Sequence, residues 1–331
     1  MGSIATNYKE QIQRLQERGM CFDWDEKKVK DVLLDIGYYR LGFYWHPFSI
    51  DKEHNLVPDT KFSDVVALYY LDVDLRNILM RYISRIEINF RTKLIYYVSN
   101  KYKTSPFWFA DSNVVSSIFI QELDKYYNCD FIDRNKPIKA HHEKYYKINT
   151  KNKEELFENC FCNKYEGGKY APAWKTLEFF SFGTILKIYK NLIDNDIRER
   201  ISKLYNINDI NKFINFMETI VLIRNTCAHS GVLFDLKTPK GIAAIPAITF
   251  ENRDRHSLAS CIKVISYMLE QISDNRKNDM IKAIEDTLYK YKENQVINNV
   301  IQNKMKIFIL FFGKNKKNCN FALKNIVPRL S

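Results

Sequence analysis

Glycine and proline are scarce in this sequence, 10 and 8 in 331 residues. Strand-like alternation of apolar and polar residues is scarce as well. Together these absences argue against a β-sandwich or barrel and predict an all-α protein. The 7 cysteines are odd in number and scattered, at Cys21, Cys129, Cys160, Cys162, Cys227, Cys261 and Cys319. That pattern argues against a disulfide framework and suits a reducing compartment. Cys160-Phe161-Cys162 is the one close pair, and neither a second pair nor a nearby histidine cluster completes a zinc site. The thiols therefore read as structural, with no metal and no cofactor expected. Long apolar runs are also missing. The longest without tyrosine, Ile307 to Phe312, is too short to span a bilayer. The polar, charged start is no secretory signal, and "MGSIAT" fits only a short, loose myristoylation pattern. A soluble cytoplasmic protein is expected, with no membrane partner.

What the chain does have is hydrophobic content for a core (46%), a high aromatic share (14%) and an excess of base. Lys+Arg number 51 against 39 Asp+Glu, a formal +12 with pI near 9.1. The excess favours a polyanionic partner, nucleic acid first, although a lysine-rich proteome would give the same sign. The chain reads as three regions: residues 1–58, helices plus an aromatic loop; 59–273, a helical core interrupted by a polar insertion at about 126–170; and 274–331, a basic helical extension. The first region carries two short helices broken at Gly19. It ends in "IGYYRLGFYWHPF", which is dense in aromatics and reads as a packed loop. From Lys61 to about Asn100 the apolar positions Leu75, Leu79, Tyr82, Ile86 and Phe90 fall at helical spacing. Arg81, Arg85 and Arg91 lie on the opposite face as candidate RNA contacts, and Glu87 can pair with Arg91 across one turn. The insertion, with His141 and His142, reads as an excursion from the core.

In "DINKFINFMETIVLIRNTCAHSG", Asp209 is the expected N-cap, and Ile210, Phe213, Ile214, Met217, Ile220 and Val221 form one apolar stripe. Arg224 extends that stripe, so it needs a carboxylate, a phosphate or a wet cleft. Gly231 is the expected stop. At about 100° per residue, His229 lies roughly 140° around the helix from Arg224, nearly in line with Asn225. Two other Arg/His pairs have similar spacing. Arg40/His46 sits in the aromatic loop, where packing is the expected role, and Arg134/His141 in the insertion, where a solvated surface is expected. His54 and His256 show no ligand spacing.

"LIRNTCAHSGVLFD" resembles the Arg-Asn-x-x-Ala-His signature of HEPN domains, the helical bundles of many defence and toxin ribonucleases. More narrowly, the chain resembles the Abi-like family of bacterial abortive-infection proteins, the AbiD/AbiF group. The matching pieces are "IGYYRLGFYWHPF", "FSDVVALYYLDVDLRNILMRYISRIEINFRTKL", "YAPAWKTLEFFSFGTILKIYKNL" and the RNxxAH helix, spanning about residues 8 to 260. One departure is Met217, where members often carry tryptophan. The resemblance implies an HEPN-like bundle and metal-independent RNA cleavage by 2′-hydroxyl attack. His229 would be the general acid or base, Arg224 the phosphate holder, and Asn225 the orienting group. It also implies a homodimer and, for some members, a structured noncoding RNA partner. The alternatives are a non-catalytic RNA-binding HEPN protein, or a toxin held silent by an RNA or protein antitoxin.

Overall fold

The computed structural model describes residues 4–146 and 170–307. Among them are fourteen α-helices, three isolated β-bridges and no sheet, so the chain is all-α. Short polar side chains start many of these helices by accepting amides that have no intrahelical partner. α1 (Tyr8–Glu17) opens with a capping box between Asn7 and Glu10. Asp25 caps α2 (Glu26–Asp35) through the Lys28 amide. Between them Gly19 takes φ 91, the left-handed conformation that ends α1 where the sequence predicts a break.

The aromatic stretch expected to be an irregular loop is helical. α3 (Tyr38–Trp45) runs into a 3-10 turn, His46–Phe48. Leu41, Tyr44 and Trp45, at three- and four-residue spacing, are buried. Tyr39 and Phe43 on the other side are exposed yet equally apolar. With both faces aromatic, no amphipathic period shows in the sequence.

α4 (Phe62–Lys101) is 40 residues long and, at about 1.5 Å per residue, roughly 60 Å. Leu75, Leu79, Tyr82, Ile86 and Phe90 are all buried, as the spacing predicts. Then follow α5 (Ser117–Gln121), α6 (Cys129–Arg134), α7 (Lys136–Tyr146), α8 (Ala173–Thr176), α9 (Phe182–Lys190), α10 (Asn195–Lys203) and α11 (Ile210–Ala228). α12 (Leu258–Glu270), α13 (Asp274–Tyr289) and α14 (Gln295–Val300) complete the set, and α14 runs into a π-helical turn, Ile301–Met305.

α3, α9, α10, α11, α12 and α13 all pack against α4, and one apolar core extends from Leu15 to Ile307. At its centre the ring of Phe90 meets those of Phe182, Tyr189 and Phe213, with centroids 5.6 to 6.4 Å apart. Deleting such a buried ring costs about 3–5 kcal/mol, so this contact fixes α4, α9 and α11 relative to one another. No helix among the described residues is long and apolar enough to cross a membrane.

The start of the polar insertion is part of the core, contrary to expectation. Tyr127, Phe131, Ile132 and Ile138 are buried, and so are His141 and His142. The Tyr127 hydroxyl sits 2.7 Å from His142 Nε2 and accepts the Ala171 amide at 2.8 Å. Hydrophobic anchors spaced along α6 and α7 pull this segment inward, and its lysines stay on the surface. His141 is therefore not on a solvated surface. Cys160, Cys162, Cys319, Gly2 and the run beyond Ile307 lie outside the described residues.

Candidate active site

α11 starts as the sequence predicts, with Asp209 accepting the Asn211 and Lys212 amides at 2.8 and 3.1 Å. Phe213, Phe216, Met217, Ile220 and Ile223 are buried, which points the last turn outward with Asn225 and His229 exposed. The helix stops in a Schellman motif. The Gly231 amide donates to the Thr226 carbonyl at 2.7 Å, and the Ser230 amide to the Cys227 carbonyl at 3.3 Å. Ser230, not Gly231, takes the left-handed conformation (φ 55). Gly231 is needed for a different reason. A Cβ there would stand 2.8 Å from Thr226 Cγ2 and 3.2 Å from the Thr226 carbonyl.

The chain leaving His229 is held from below by α4. Asp72, fully buried, accepts the Leu233 amide at 3.0 Å, the Phe234 amide at 2.9 Å and the Tyr44 hydroxyl at 3.0 Å. Arg76 donates to the same carboxylate at 3.1 Å and to the carbonyls of Ser230 and Gly231 at 3.2 and 2.8 Å. Burial raises the Asp72 carboxyl to about 6, while Arg76, Tyr44 and the two amides pull it down, so it is anionic at neutral pH. Burial likewise pushes the Cys227 thiol up to about 12, which fits a structural thiol. From above, Arg40 on α3 donates to the Ser230 carbonyl at 2.8 Å. Arg40 therefore braces the residue next to His229 rather than packing in a loop.

Arg224 finds the carboxylate its position demands. Its Nε lies 3.6 Å from Glu87 Oε2, and its Nη1 is 3.4 Å from Asn225 Oδ1. Glu87 is shared, since Arg91 Nη2 donates to its other oxygen at 2.8 Å. Arg91 is anchored in turn on the Glu178 and Phe180 carbonyls at 3.2 and 3.0 Å. Glu178 Oε2 also lies 3.9 Å from Arg91 Nη1 on the exposed side, so the two guanidiniums share Glu87 with a second carboxylate beside Arg91. Arg224 Nε has no hydrogen-bond partner among the described residues, and the side chain is 28% exposed. That Nε is itself buried against Glu87, and the rest of the guanidinium fork stands at the margin of the buried face. A phosphate would suit that fork, because bidentate charge-assisted bonds are strong.

The residues assembled here lie between Arg40 and Phe234, and a protein-family comparison matches that same stretch: residues 31–235, the Abi-like protein family. The chain belongs to the Abi-like protein family. Membership points to abortive-infection defence. The match is narrower than the span of about 8 to 260 suggested by the sequence pieces, and α12 to α14 lie beyond it. No curated protein and no solved structure matches the chain.

The Abi-like chain brings Arg224, Asn225 and His229 to one solvent-facing helix end. The arginines proposed on α4 are more varied. Arg81 is exposed, and Arg85 is half-buried with its Nε lacking a hydrogen-bond partner among the described residues. Arg91 spends donors on Glu87 and the α8–α9 connection. His46 and His54 lie near each other, with ring centroids 6.3 Å apart. No three His, Cys, Asp or Glu side chains group as metal ligands among the described residues. Sequence reading missed Tyr44, Asp72 and Arg76. The i,i+4 spacing of Asp72 and Arg76 on an otherwise apolar face was the signal that could have found the last two.

Proposed function

We propose that this Abi-like protein is a metal-independent, HEPN-type endoribonuclease acting in anti-phage abortive infection. The observation that carries the reading is Arg224, part-exposed at a helix end that also presents the exposed His229 and Asn225. A helix C-terminus is the negative end of its dipole and repels phosphate. The part-exposed Arg224 guanidinium, with Arg40 on the neighbouring Ser230 carbonyl, offsets that repulsion.

In the reaction the ribose 2′-oxygen attacks the adjacent phosphorus and the bond from phosphorus to the 5′-oxygen breaks. One proton leaves the 2′-hydroxyl and another reaches the departing oxygen, giving a 2′,3′-cyclic phosphate and a 5′-hydroxyl. His229 carries one of these protons, Arg224 holds the phosphate as charge builds, and Asn225 orients one or the other. A second histidine comes from the same site of a second copy across a two-fold axis, so the active form is a homodimer. Arg81 and Arg85 extend the RNA surface, and a structured noncoding RNA fits the same basic face.

Arg224→Ala and His229→Ala are each expected to abolish cleavage and growth arrest while the protein still melts cooperatively. Cleavage is expected to persist in EDTA and to fail on 2′-deoxy substrates. Full activity in a folded His229→Ala protein would overturn the reading. One observation favours a second reading: among the described residues, no side chain hydrogen-bonds the His229 ring. An RNA-binding protein without catalysis needs no such orientation. RNA that binds and is never cut would select that reading. Control by an antitoxin shares the chemistry and differs in what relieves it.

A further inference from the structure

The segment that leaves the catalytic helix also forms the wall of a cavity. Val232, Phe234 and Asp235 face Phe43 and His46 of the α3 region and Lys304 of the C-terminal π-turn around about 240 Å³. Phe234 is held in that wall by the hydrogen bond its backbone N–H donates to Asp72, and Val232 follows Gly231, whose carbonyl Arg76 binds. The cavity and His229 are therefore positioned by the same buried knot. It is smaller than the roughly 300–1,000 Å³ of a site for a drug-sized ligand, and it suits one flat heterocycle of nucleobase size.

A second feature adjoins it and shares Phe43 with it. Tyr39 and Phe43 stand on the outer side of α3, 82% and 44% exposed, with ring centroids 5.4 Å apart at 79°. Arg40 lies between them in sequence and reaches the Ser230 carbonyl, so this aromatic edge begins beside the candidate catalytic histidine. Two exposed aromatic rings next to an arginine and a small cavity are the parts of a base-stacking platform. At the rim Lys304 Nζ and Asp235 Oδ1 are 3.8 Å apart, offering one donor and one acceptor to the edge of a base.

We infer that the α3 aromatic edge and this cavity form a nucleobase pocket, which takes one unpaired base of the RNA next to the scissile phosphate. This rests on the ribonuclease reading for its substrate. The base must be unpaired, because in a duplex both its faces are stacked and its edge is occupied. The surrounding charge fits the occupant: Arg40, Arg224 and Lys304 suit a phosphate backbone, and the chain carries +12 overall.

The test uses full-length His229→Ala protein, which cannot cut, and a short single-stranded RNA with 2-aminopurine at successive positions. Binding is expected to quench the fluorophore at one position. Phe43→Ala should relieve the quenching and weaken binding by about ten-fold or more, the size of one lost base–aromatic stack. Phe43→Tyr keeps a flat ring and should preserve both signals. Tyr39→Ala, on a side chain too exposed to be needed for folding, should weaken binding to a lesser degree. A duplex of the same sequence should bind without quenching.

Unchanged affinity and quenching in a Phe43→Ala protein of unaltered melting temperature would overturn the pocket, even if the wild type cuts RNA. Equal quenching in the duplex, or none in the single strand, would overturn it too. So would a Phe43→Ala protein that loses its dimer in light scattering but keeps its RNA contacts, since the edge would then be an interface between copies. Quenching that depends on Phe43, in a protein whose wild type never cuts, would uphold the pocket and remove the catalytic reading alone.

Discussion

α4 carries two acid–arginine pairs at the same four-residue spacing, and they end in different states. Asp72 and Arg76 are 3.1 Å apart and buried. The carboxylate accepts from Tyr44, Arg76 and two backbone amides, and Arg76 goes on to two carbonyls. Glu87 and Arg91 are 2.8 Å apart and partly exposed, and Glu87 is asked to serve Arg224 as well, at 3.6 Å. The first pair is closed at its carboxylate, both of whose oxygens accept hydrogen bonds inside the chain. The second is open, with Glu87 shared by two guanidiniums, the exposed Glu178 3.9 Å from Arg91, and a buried Nε without a hydrogen bond on each arginine among the described residues. A satisfied buried carboxylate specifies geometry, whereas a part-exposed cation at a helix end holds binding capacity. One pair shapes the site and the other supplies its charge.

The largest effect is expected from breaking the closed pair. Asp72→Ala leaves Arg76 and two amides without their acceptor and should cost about 3–5 kcal/mol, read by urea denaturation. A loss under about 1 kcal/mol would mean the knot is not closed. A buried group of the same kind on α7 gives the pH arm. Burial, with His141 as a second cause, holds His142 down to about 3 from its ordinary 6.5. The unfolded chain then binds more protons than the folded one between those values, so stability is lost as pH falls through that window. At pH 5 the loss from His142 is about 2 kcal/mol, at about 1.4 kcal/mol per pH unit. His142→Gln should flatten the slope between pH 6.5 and 4 in thermal melts.

Gly231→Ala tests how tightly the knot places the helix stop. The new methyl meets Thr226 Cγ2 at 2.8 Å, so a loss of about 1–3 kcal/mol is expected along with reduced cleavage. Thr226→Ser in the same protein removes that methyl contact and should restore part of both. The smallest stability effect is expected at the open pair. Glu87→Gln should change stability by about 1 kcal/mol or less, because the group is partly solvated. The same change should lower kcat for RNA cleavage roughly ten-fold or more with little change in KM, as Arg224 loses its fixed placement. Equal losses of stability in Asp72→Ala and Glu87→Gln would erase the distinction between the pairs.

By itself the sequence determined the helical class, the break at Gly19, the extent of α4, the Asp209 cap and the stop of α11 next to Gly231. These follow from local physics: the 3.6-residue period of apolar side chains, caps within three residues and left-handed turns. It also determined that Glu87 and Arg91 pair, because four residues on a helix are neighbours. It misled at α3, where aromatics on both faces erased the period, and at His141 and His142, where scattered apolar anchors outweighed a polar composition. Tertiary structure alone decided which carboxylate meets Arg224, that Arg40 reaches Ser230, and that Asp72 grips the chain after His229. Those contacts join helices far apart in sequence. Their partners are chosen by how α3, α4 and α11 cross, and no local pattern encodes that crossing.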